Sequence, residues 1–128
     1  MTDNAQDLAR RAVACPGWRW MPGMRQWRAP DAGKHGRGTV WAVTEGRVGE
    51  YGGAVEDAAD PSMHWLPDLT DPATLGCLLA LVREAWWGAD IFGLHYHCDG
   101  AWCVEINDRH FYGDSMAAAL VAALEAAP

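Results

Sequence analysis

Residues 18–28 read WRWMPGMRQWR, three tryptophans and three arginines around a Pro-Gly turn. An indole offers a flat face on which a base or a guanidinium stacks, and a guanidinium forks onto phosphate or carboxylate. Trp18, Arg19, Trp20, Arg25, Trp27 and Arg28 are therefore a candidate binding segment for a planar anionic ligand. Lys34 and Arg37, in the glycine-rich stretch AGKHGRG, add charge behind it. That stretch lacks the spacing of a phosphate-binding P-loop. The competing reading buries the indoles in the core and leaves the arginines solvated.

A second group lies further on: His95, His97, Cys103 and Glu105, with Cys98 between them and His110 after. Imidazole and thiolate suit a borderline-soft cation such as zinc. However, His-x-His followed by Cys-x4-Cys matches no finger or ribbon spacing. The expectation is a polar strand face, with no metal and no other cofactor. Asp68 with Asp71, or His95 with Glu105, could be paired as acid and base. No nucleophile elbow, zinc-protease helix, Walker loop or dinucleotide fingerprint supports them. No catalytic residue is assigned, and the reading leans away from an enzyme.

The elements that must position these groups can be read from local signals. Residues 4–15 predict an amphipathic helix with Leu8, Ala12 and Cys15 on its apolar face, ended by Pro16-Gly17. Residues 38–44 and 47–51 read as two strands around Glu45-Gly46, and residues 52–67 as a long surface loop. A helix follows, with Asp71 as N-cap, Pro72 at its first position and Gly88 as its stop. Its apolar stripe (Leu75, Leu78, Leu79, Val82, Trp86) is widened by Leu81 and Ala85, which predicts cover from more than one side. Trp87 falls on the other face.

Residues 92–106 predict a hairpin. With Cys98-Asp99-Gly100 as a three-residue loop and Gly100 left-handed, His97 faces Ala101 and His95 faces Cys103. Phe92, Leu94 and Tyr96 then share a face with Trp102, Val104 and Ile106. A two-residue turn would mix the apolar and polar faces. A short strand around residues 110–112 and a last helix from Asp114 or Ser115, with the stripe Met116, Leu120 and Leu124, complete the chain. The expected architecture is a single α+β domain over residues 1–128. It would hold one antiparallel sheet of four to five strands and three helices.

Half of the 128 residues are hydrophobic, enough for one core without staples. The net charge of −7 is unevenly spread. Residues 1–47 hold eight basic groups against four acids, a balance of +4, and the remaining 81 hold two against thirteen, −11. The acidic majority argues against duplex nucleic acid as a partner. The longest apolar run, residues 77–82, is too short for a membrane span. The polar opening MTDNAQDLARR lacks a secretory apolar region, so four reduced cysteines in a cytosol are expected.

Three blocks, LARRAVAC-x-GWRWMPGM, LPDLTDPATLGCLLALVREAW and LVAALEAAP, resemble a family of short uncharacterised proteins of tailed phages and prophages. They cover roughly half the chain. The resemblance implies an accessory product acting in a bacterial host cytosol, and it supplies no site residues. Together these features predict a non-enzymatic binding protein, a counter-defence sponge that sequesters a nucleotide-type anion. The alternatives are an inhibitor that blocks a host defence protein through an acidic, Trp-bearing surface, and a structural accessory without ligand. The tryptophan surplus predicts a homo-oligomer.

Overall fold

Asp71 opens the longest helix, as its residue type suggests. Its backbone is extended, and its carboxylate accepts a hydrogen bond from the Thr74 amide at 2.9 Å. Pro72, which has no N–H to satisfy, follows it. This helix, α2, runs Pro72–Ala85. It stops at Trp86, and Trp87 takes a left-handed conformation (φ 56°); Gly88, the expected stop, lies outside the described residues. The computed structural model describes residues 3–28, 40–44, 47–49, 55–57, 65–87, 91–97 and 99–128. For residues 3, 27, 28, 40–44, 47–49, 55–57, 91 and 92 only the backbone is described.

Helix α1 spans Asp3–Ala14 and α3 spans Met116–Glu125. Ser115 caps α3 by accepting from the Ala118 amide at 3.0 Å. Alanines 117, 119 and 123 are buried along with Leu120, Val121 and Leu124, so small side chains let neighbours approach α3 from several directions. Arg11 of α1 pairs with Glu125 of α3 and ties the two helices at one end.

Among the described residues strand pairing is antiparallel, and the fold is α+β with three helices. The strands fall into two sheets rather than the single sheet expected. Strands β1 (Arg25–Arg28), β2 (Val40–Thr44), β3 (Arg47–Gly49), β4 (Val55–Asp57) and β5 (Trp65–Pro67) form one, in the order β4-β3-β2-β1-β5. Strands β6 (Ile91–Tyr96), β7 (Trp102–Ile106) and β8 (Arg109–Gly113) form the other, in that order. The expected loop over residues 52–67 therefore contains two strands. β4 pairs with β3, and β5 reaches back to β1, with Trp65 and Leu66 buried. The partner of β5 lies about forty residues away in sequence, beyond what local turn signals report.

Helix α2 is covered from two sides, as its wide stripe predicts. Leu78 and Val82 join the main core with Ala12, Val104, Ile106 and Leu120. Leu81 turns to a second cluster with Met24 and Trp65. Among the described residues, no helix is long and apolar enough to cross a membrane.

Candidate functional site

The β6–β7 hairpin adopts the register its loop demands. Gly100 is left-handed (φ 90°), the His97 amide donates to Ala101 O at 2.7 Å, and His95 stands opposite Cys103. Leu94, Trp102, Val104 and Ile106 face the main core. A bulge between Ile91 and Gly93 puts Ile91, rather than Phe92, opposite Ile106. Tyr96 ends up 61% exposed, with its ring edge against Trp102.

The opposite face gathers polar groups from three strands. His95 Nε2 and His97 Nε2 are 3.1 Å apart. Donor atoms of His95, His97 and Cys103 all lie within 4.8 Å of one another. From β8, His110 Nδ1 approaches Cys103 Sγ at 3.7 Å and Glu105 Oε1 at 3.2 Å. Tyr112, opposite Cys103, sets its ring beside those of His97 and His110. Its phenol pKa is raised, first by partial loss of water and then by the neighbouring Cys103 sulfur.

Cys103, His110 and Glu105 are the types of a nucleophile–base–acid relay. Such a relay needs the nucleophile on one imidazole nitrogen and the carboxylate on the other. Here both approach the same nitrogen, Nδ1, and the thiol belongs to a fully buried residue. The arrangement does not present an attacking sulfur.

Two residues of this face carried no signal of their own in the sequence. Tyr112 arrives only through β8 pairing. Gly93 lies beneath His95: a Cβ at position 93 would sit 2.9 Å from His95 Nδ1 and 3.4 Å from Glu105 Oε2. Glycine there makes room for the imidazole.

The Trp/Arg segment has a different character. Trp18 packs against both cores, and its ring meets that of Trp20 edge to face at 5.3 Å. Arg19 pairs with Glu84 of α2, and Arg25 Nε lies 3.7 Å from Asp71 Oδ1. Each guanidinium thus turns toward its own carboxylate. The recess beside Trp18 and Arg19 is only about 230 Å3, below the usual size of a small-molecule pocket. The side chains of Trp27 and Arg28, and all of Lys34 and Arg37, lie outside the described residues.

A larger cleft opens elsewhere, between α1, the turn joining β5 to α2, and the corner joining β8 to α3. Its volume is about 860 Å3. Leu8, Leu69, Leu75 and Met116 supply apolar lining, and Arg11 and Asp68 are among its polar groups.

The chain is therefore a small α+β protein, with two antiparallel sheets among the described residues. No family model, curated protein or solved structure matches it.

Proposed function

We propose that this chain is a non-enzymatic binding protein that takes up a small molecule of nucleotide size in the cleft between α1, α2 and α3. The observation that carries this reading is the cleft itself. Its volume of about 860 Å3 falls within the range of ligand pockets, and its lining combines aliphatic side chains with a few polar groups. In the phage setting that the sequence blocks suggest, such uptake would sequester a host signal. Among the described residues Arg11 is the one cation of the lining, and it already pairs with Glu125, against Asp68 and Asp114. That balance disfavours a polyanion and suits a ligand with a single phosphate or none.

Calorimetric titration against nucleosides, mononucleotides and cyclic dinucleotides tests this. Heat is expected with members carrying at most one phosphate, and Ala118→Phe, which fills the cleft, should weaken it at least about tenfold. Arg19→Ala and Arg25→Ala should leave binding unchanged. The reverse pattern would move the ligand to the Trp/Arg segment, and no heat at all would remove the small-molecule reading.

One observation favours the rival reading, a protein-contacting surface. Trp87 is 83% exposed at the end of α2, in a left-handed conformation that bulky residues rarely adopt. Self-association in sedimentation experiments is expected to weaken in Trp87→Ala. A 14.0 kDa monomer at every concentration for both proteins would show that this indole does not join copies of the chain.

A further inference from the structure

We propose that His95, His97 and Cys103 form a binding site for a divalent transition-metal ion, zinc in the first instance, on the outer face of the three-stranded sheet. The inference is independent of the cleft and its ligand.

Three features build the site. The hairpin register places His95 directly opposite Cys103, and the period-two alternation of a strand brings His97 to the same face. The register thus brings together donors whose linear spacing matches no known motif. The spacing, also that of a hydrogen bond between the two rings, fits a shared ligand set. Two nitrogens bound to one tetrahedral zinc at about 2.0–2.1 Å stand roughly 3.3 Å apart, and the His95 and His97 Nε2 atoms are 3.1 Å apart. All three donors fit within 4.8 Å. Finally, the surroundings hold the donors in place. Cys103 is fully buried, with His110 Nδ1 3.7 Å from its sulfur, and Gly93 leaves the space that the His95 ring occupies.

Two imidazoles and a thiolate form a donor set suited to a borderline-soft ion. His110 stands beside the sulfur with Glu105 on the same nitrogen, an outer partner of the kind that orients metal ligands. Binding such an ion requires neutral imidazoles and releases the thiol proton, so affinity should fall as pH drops.

Titration of the metal-free protein with Co2+ alone tests the proposal. One equivalent is expected to bind, giving visible bands of a four-coordinate ion and a near-ultraviolet thiolate-to-cobalt band, both bleached by one equivalent of Zn2+. Cys103→Ser should abolish the near-ultraviolet band, whereas Cys77→Ser should keep it. Because Cys103 is buried, its variant could fail to fold. His95→Ala alters a surface side chain and decides the matter by itself: cobalt affinity should drop about tenfold or more with an unchanged far-ultraviolet circular dichroism spectrum. Substoichiometric cobalt uptake, or uptake that His95→Ala leaves intact, would overturn the site.

Discussion

Trp86→Ala is expected to lower the stability of this protein by about 3–5 kcal/mol, a large fraction of the roughly 5–15 kcal/mol typical of a domain. Trp86 is 7% exposed and joins three elements. Its indole lies in the main core, and its Nε1–H donates to Ala123 O of α3 at 2.9 Å. Its ring also meets Phe111 of β8 at 5.7 Å, and the Arg109 guanidinium lies 5.4 Å from both rings. Truncation removes the apolar contacts, opens a cavity and leaves the carbonyl without its indole donor. Trp86→Phe keeps a ring and loses the donor, so it should cost much less. Urea unfolding of the two variants separates the terms. A Trp86→Ala loss below about 1 kcal/mol would mean that α2, α3 and β8 do not meet through this indole.

Thr74→Val should cost about 1–3 kcal/mol, although it preserves shape. Thr74 is fully buried in the first turn of α2, and its hydroxyl connects that turn to β1. It accepts from the Arg25 amide at 2.8 Å and donates to Asp71 Oδ2 at 3.0 Å. Valine leaves the Arg25 amide without that acceptor. Asp71→Ala, which strands the Thr74 amide instead, should cost about 1 kcal/mol. Because the two side chains touch, the double variant should lose measurably less than the sum. Strict additivity in chemical unfolding would show that the cap and the bridge to β1 act separately.

The Trp/Arg segment and the hairpin show how residues of equally plausible chemistry can have different fates. Arg19 and Arg25 read as free cations in sequence because Glu84 and Asp71 lie far along the chain. Folding places Arg19 beside Glu84 of α2 and Arg25 of β1 beside Asp71, although both arginines stay more than half exposed. His95, His97 and Cys103 read as an unmatched spacing. Pairing β6 with β7 turns that spacing into a cluster, and β8 adds His110 and Tyr112.

What the sequence alone determined was local. Asp71 and Ser115 cap their helices, Gly100 makes the left-handed turn, and alternation around that turn settles the hairpin register, because each depends on residues within a few positions. The wide stripe of α2 likewise announced two neighbours without naming them. Only the tertiary structure decided that the strands divide into two sheets, that β5 returns to β1, and that Trp87 takes a left-handed conformation. It also decided which arginines meet carboxylates and which donors share a face. Those outcomes depend on long-range contacts, whose partners are chosen by packing of the whole core and leave no periodic trace in the segments they join.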